Sequence, residues 1–143
     1  MENFENRFDE TDILARTLYG EARGEGLIGL EAVACVVLNR VKLSKERGVS
    51  WWGRNVSEVC LKPFQFSCWN ADCPQREKLL SLTEDDAEFR LCRRIAKKAL
   101  SGFLTDITHG ATHYHAKSVS PAWARKWAPV FEYRHHLFYR EVI

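Results

Sequence analysis

Residues 14–40 read LARTLYGEARGEGLIGLEAVACVVLNR, and this stretch limits what the chain can become more than any other. Its second half, from Leu27 to Val41, is apolar on nearly every side: Leu30, Val33, Ala34, Val36, Val37, Leu38 and Val41. The β-branched residues suit a strand, but strands rarely run so long, and a helix greasy all round has to be buried. The pattern predicts a central helix closed by Asn39 and Arg40, the latter suiting the negative end of the helix dipole. Ahead of it, Ile13, Leu14, Leu18 and Tyr19 give a shorter helix one buried face, with Asp9 or Thr11 as its cap. Gly20 weakens that helix and permits a change of direction. At the junction stand two carboxylates, Glu21 and Glu25, with Arg23 between them.

The rest of the chain has to cover this pair of helices. Lys42 to Asn55 is polar, holds Gly48 and Gly53, and reads as a surface loop carrying Trp51 and Trp52. Asn55 or Ser57 starts a short helix that must end near Pro63. The following PFQFSCWNADCP is aromatic and turn-rich, as a cleft wall would be. Thr83 caps the clearest helix of the second half, with acids in its first turn, a stripe of Leu91, Cys92, Ile95, Ala96 and Ala99, and Gly102 as its stop. Arg90, Arg93, Arg94, Lys97 and Lys98 read as its solvated face. From Gly110 the period changes to two, in 111–116 and again from Phe131 to Tyr139, which predicts two antiparallel strands at the edge of a helical body. Between them Ser120-Pro121 opens a short helical turn containing Trp123 and Trp127. The expected class is α+β, predominantly helical, with 1–143 as one domain; 143 residues at 45% hydrophobic suit a single core.

Composition excludes some functions. Twenty-one basic against 19 acidic residues leave a net charge of +2, with no nucleic-acid footprint. The longest apolar run, Ala32 to Leu38, is too short to span a bilayer. The opening MENFENRFDETDI has neither a basic nor an apolar segment of the kind a secretory signal needs, so we expect synthesis in the cytoplasm. Of the five cysteines, Cys35 and Cys92 fall in apolar helical patterns. Cys60, Cys68 and Cys73 surround one loop without a CxxC pair, which allows one bridge there but does not resemble a zinc knuckle.

Several chemistries remain open on the residues alone. Glu21 falls at the C-terminal end of a helix, where the dipole disfavours another negative charge, as suits a general acid for glycosidic cleavage; the plainer alternative is a surface glutamate paired with Arg23. Glu25 is a second carboxylate for a hydrolase, a support for Glu21, or a partner for Arg40. His113 and His115, alternating on a strand, put both rings on one face, as zinc peptidases do, although no nearby acid completes a ligand set. Ser67 lacks a nucleophile elbow, and Cys60 and Cys68 lack a nucleophile context. Gln65, Phe66, Thr112 and Tyr114 are candidates for binding sugar, polar groups to hydroxyls and rings to apolar sugar faces; Trp51 and Trp52 are further ones.

The segments LARTLYGEARGEG (14–26), AVACVVLNRV (32–41), PFQFSCWN (63–70), GATHYHA (110–116), PAW (121–123) and HLFY (136–139) together resemble the catalytic domain of the spore-cortex-lytic cell-wall hydrolase family, also found among phage-type endolysins. The resemblance implies a lysozyme-like, mostly helical fold with a small β element. It implies cleavage between N-acetylmuramic acid and N-acetylglucosamine in peptidoglycan, with no cofactor or metal required; a monomer is the expectation. It puts the catalytic role on the first glutamate of GEARGE, Glu21, which in the lytic transglycosylases of the family acts first as acid and then as base, leaving a 1,6-anhydro product. Glu25 then has a supporting role. Against the spore enzymes, no wall-binding module or signal segment is visible, so the expectation is a phage-like lysin released to the wall by a holin or carried in a virion. The cysteine-bearing loop at 60–73 is foreign to the family pattern. Three alternatives stay open: a hydrolytic muramidase using Glu21 and Glu25, a zinc amidase or endopeptidase using His113 and His115, and a wall-binding module without turnover.

Overall fold

A computed structural model describes residues 7–49, 51–63 and 65–140; the first six residues of the segment read for a signal, and Phe64 of the aromatic loop, lie outside the described residues. Helix α1 (Glu10–Ala22) starts at Asp9, whose carboxylate accepts the Asp12 N–H at 2.8 Å, and it buries Ile13, Leu14, Leu18 and Tyr19. It runs straight through Gly20. A Cβ on Gly20 would lie 2.6 Å from Cys68 Cβ, so this glycine serves close packing and not a change of direction.

Helix α2 (Gly26–Arg47) is the core element, with Leu30, Val33, Ala34 and Val37 buried in the main cluster. It does not close at Asn39 and Arg40 but ends at Gly48, in the left-handed region at φ 63°. The polar pair is tolerated mid-helix because each side chain has a tertiary partner. Asn39 donates to the Ala111 carbonyl at 2.9 Å and Arg40 to the Thr112 carbonyl at 2.7 Å. Residues 42–47, expected in a loop, are therefore helical.

Asn55 caps α3 (Val56–Leu61) by accepting from the Glu58 N–H at 2.9 Å. The aromatic loop follows and tightens into a 3-10 turn at Ser67–Trp69. Helix α4 (Arg76–Ser81) was not legible in sequence: it is short, and Leu79 is its buried anchor. Its end is tied to α1 by Arg16, whose guanidinium donates to the carbonyls of Leu79 and Leu82, both at 2.9 Å. Helix α5 (Ala87–Leu100) begins at Asp86 and not at Thr83, because Thr83 is spent on a turn, its carbonyl accepting the Asp86 N–H at 3.1 Å. Its basic side is partly engaged: Arg93 pairs with Glu84 and Asp12, and Lys98 lies 3.6 Å from Glu31.

The β element has three strands, β1 (His113–Ala116), β2 (Phe131–Tyr133) and β3 (His136–Tyr139), antiparallel in the order β1-β3-β2. The single strand expected over 131–139 is a hairpin, turned at Arg134, whose φ is 49°. Alternation continues on both sides of that turn, which hid it; Phe131 consequently pairs opposite Phe138 and does not share a face with Tyr139. The inner side of the sheet, through Phe138, packs with Ala111 on Ala32 and Val36 of α2. Before β2 the expected helical turn is a 3-10 segment, Ala122–Lys126, with Trp127 just past its end.

All five cysteines are free thiols, so the bridge allowed in the loop is not formed. Among the described residues no helix is long and apolar enough to cross a membrane.

Candidate active site

Glu21 occupies the last turn of α1, half-buried, at the seam between the helices and the edge strand β1. Tyr114 of β1 donates its hydroxyl to Glu21 Oε1 at 2.6 Å. Desolvation and the Glu21 carboxyl hold the phenol well above its ordinary range, so Tyr114 remains a donor. On another side lies Cys68; burial first and the Glu21 carboxyl second push its thiol far up, so it too stays protonated. Gly20 makes this approach possible, since its missing Cβ is what lets Cys68 seat against α1.

Glu25 has a different fate. It precedes α2, is 8% exposed, and its Oε1 is 2.8 Å from Nδ1 of His136 on β3, with His135 further out at 3.9 Å. Gly29 gives it room: a Cβ there would lie 2.4 Å from Glu25 Cβ. Glu25 thus pairs with His136 and not with Arg40, and Tyr114 stands edge-on to His136 at 5.5 Å between the two carboxylates. Arg23, the plain partner proposed for Glu21, donates instead to the Tyr19 hydroxyl at 3.1 Å and covers that ring.

Arg40 organises the third side. Six per cent exposed, it donates to the Thr112 carbonyl and, through Nη1, to Gln65 Oε1 at 2.8 Å, and it lies over the Phe66 and Trp52 rings at 5.3 and 5.9 Å. Burial lowers its pKa, and Tyr114, Cys60 and Glu21 act in the opposite direction. His113, against Trp52 and Trp123, is pushed down to about 4 by burial first and by Arg40 second, so its ring is neutral near pH 7.

A family model described as Cell Wall Hydrolase matches residues 24–139, most of the chain. The chain belongs to the cell wall hydrolase family. It is 32% identical over 106 residues to a spore cortex-lytic enzyme of Halalkalibacterium halodurans, a match covering 74% of the chain. It spans about a quarter of that relative's length, 27%. Its fold is that of the catalytic domain of the germination-specific lytic transglycosylase SleB from Bacillus anthracis, with a TM-score of 0.69, 24% identity and coverage of 92% and 93% of the two chains. The SleB catalytic domain of Bacillus cereus matches with the same TM-score and identity, over 92% and 89%. The mostly helical body with a small antiparallel sheet expected from sequence is this fold.

In the structure the sequence candidates divide into groups. Glu21 and Tyr114 are in direct contact; Gln65, Phe66 and Thr112 gather around Arg40; Glu25 is drawn off by His136. Thr112 Oγ1 lies within hydrogen-bond distance of His113 Nδ1, at 3.0 Å. Trp52 borders the Arg40 group, while Trp51 is 52% exposed at its outer end. The His113 and His115 rings both face Trp123, and His115 Nε2 is 2.8 Å from the Tyr139 hydroxyl. Among the described residues no three His, Cys, Asp or Glu side chains are grouped to hold a metal ion. Arg40, Cys68 and His136 were not read from sequence as parts of the site: Arg40 stood as a helix end or a partner for Glu25, and Cys68 as a thiol without a nucleophile context. Arg40 had a usable signal, a guanidinium inside an otherwise apolar helix; the other two had none.

Proposed function

We propose that this cell wall hydrolase cuts peptidoglycan glycan strands between N-acetylmuramic acid and N-acetylglucosamine as a lytic transglycosylase, with Glu21 as its acid and base. The observation that carries the reading is the unequal state of the two carboxylates. Glu21 is held at the seam by Tyr114, whereas Glu25 is buried and committed to His136. A site with one available carboxyl suits a mechanism that uses one carboxyl twice.

Glu21 first gives its proton to the glycosidic oxygen as the bond to C1 of the muramoyl residue breaks. The Glu21 carboxylate then takes the proton of the muramoyl 6-hydroxyl as O6 closes onto C1. Glu21 ends protonated, the product carries a 1,6-anhydro ring, and no water is consumed. Tyr114 fixes one carboxyl oxygen, which sets the side-chain rotamer and leaves the other to address the substrate. The structural relative from Bacillus anthracis is a germination-specific lytic transglycosylase, which supports the same reading. A hydrolytic muramidase would use Glu25 or an ordered water; the Glu25 bond to His136 speaks against the first of these.

Mass spectrometry of fragments from purified peptidoglycan tests the proposal. The expected products carry anhydro-muramoyl ends. Reducing ends would return the hydrolytic reading, cut peptides the amidase reading, and an absence of products the wall-binding reading. Glu21→Gln is expected to lose at least about 100-fold in rate; full activity in that variant would remove Glu21 from the mechanism.

A further inference from the structure

Gln65 is fixed in one orientation by a group that cannot accept a hydrogen bond. A guanidinium carries only donors, so the amide atom facing Arg40 Nη1 at 2.8 Å is the oxygen, and the amide nitrogen faces the other way. Arg40 cannot swing aside: it is 6% exposed, bound to the Thr112 carbonyl, and enclosed by Phe66 and Trp52. The half-buried Gln65 makes no other side-chain hydrogen bond among the described residues, so its two amide N–H groups are left for a ligand on the side away from Arg40.

From this geometry we infer that Gln65, oriented by Arg40, selects the acetamido carbonyl of an amino sugar beside the scissile bond and rejects the de-N-acetylated sugar. This rests on the glycan-cleaving reading above. Sugar hydroxyls both donate and accept and cannot discriminate. An acyl carbonyl only accepts, and matches an amide presenting only donors. The free amine left by de-N-acetylation is an ammonium near neutral pH and only donates, so it meets like groups. Arg40 adds a second penalty, since a buried cation directly behind Gln65 opposes any further positive charge. The same field is already visible at His113, which Arg40 helps to keep neutral. Gln65 is therefore a binding residue and Arg40 a positioning residue.

The test compares peptidoglycan strands before and after enzymatic de-N-acetylation. The protein should show kcat/KM at least about tenfold higher on acetylated strands, mainly through KM. Gln65→Glu keeps the size and the Arg40 contact but replaces the donors with acceptors, and should shrink that preference to about twofold or less. A second readout needs neither turnover nor a Gln65 variant. In the Glu21→Gln protein, the 15N-labelled Gln65 side-chain amide signal should move with N-acetylchitotetraose and stay put with the de-N-acetylated tetramer. Equal cleavage of both strands, a preference that survives in Gln65→Glu, or an unmoved amide signal would each overturn the assignment. A signal that moves with the acetylated tetramer alone, in a protein that cuts no glycan, would retain the acetamido site and discard the cleavage reading.

Discussion

Gly20→Ala sets two effects of opposite sign against each other inside α1. Alanine should stabilise a helix interior by about 1 kcal/mol over glycine. Against this, the new Cβ would fall 2.6 Å from Cys68 Cβ and 2.8 Å from its Sγ, with Leu79 Cδ1 at 3.3 Å. Ordinary carbon contacts are about 3.5–4 Å, so the neighbour must retreat by roughly 1 Å. Cys68 is a poor candidate for retreat. It is 3% exposed, on a 3-10 turn whose next residue, Trp69, anchors its indole to Thr17 Oγ1 at 2.8 Å. Overpacking of this kind costs about 1–3 kcal/mol, which outweighs the gain and leaves a net loss of about 1 kcal/mol. That corresponds to a Tm lower by about 3 °C for a chain of this size. Turnover should suffer more than stability, because Cys68 and Phe66 flank the Glu21 and Arg40 groups, and a 1 Å displacement there costs up to about 100-fold. Thermal unfolding and peptidoglycan release read both quantities, and a double-mutant cycle with Cys68→Gly should show coupling of about 1 kcal/mol. A Gly20→Ala protein more stable than the parent, with unchanged turnover and no coupling, would refute this account of the packing.

Removing His136 with His136→Ala leaves the buried Glu25 carboxylate without its partner and should cost about 2 kcal/mol in chemical denaturation; a loss within about 0.5 kcal/mol would show the pair to be incidental. His113, held near 4 when folded against an ordinary value of 6.5, makes the unfolded chain the better proton binder between those limits. Stability should therefore fall as pH drops from 6.5 to 4 and level off below, and the Tm–pH curve of His113→Gln should be flatter across that window. Burial pushes the thiols of Cys35, Cys60 and Cys92 up to about 12 and that of Cys68 further. A thiol reagent at pH 8 should label the partly exposed Cys73 in the native protein and the other four only on unfolding; rapid native labelling of Cys68 would contradict its seat against Gly20.

The helical body was legible because periodicity and capping are local properties. Asp9, Asn55 and the apolar run of α2 each announce their element within a few residues. The errors arose where tertiary contacts decide. Arg40 looked like a helix end because nothing in its neighbourhood reveals the Thr112 carbonyl it binds. Thr83 looked like a cap because its turn partner Asp86 is itself a good cap. The Arg134 turn was invisible because alternation has the same phase on both sides of it. In the site, Glu21 and Tyr114 could each be named, but their bond could not. Likewise the choice of Glu25 for His136 over Arg40 depends on the space left by Gly29, which no spacing rule conveys.

The contact between Glu21 and Tyr114 joins residues 93 positions apart. Helix α1 can draw its first partners from nearby chain, but the phenol arrives only when β1 docks, after a long loop has closed. A kinetic intermediate with its helices assembled and its sheet undocked would hold Glu21 without the hydrogen bond that orients it. Peptidoglycan turnover during refolding should accordingly lag behind the recovery of helical signal. On the proposed function, this long-range contact would make glycan cleavage the last property the chain acquires and, on unfolding from the sheet side, the first it gives up.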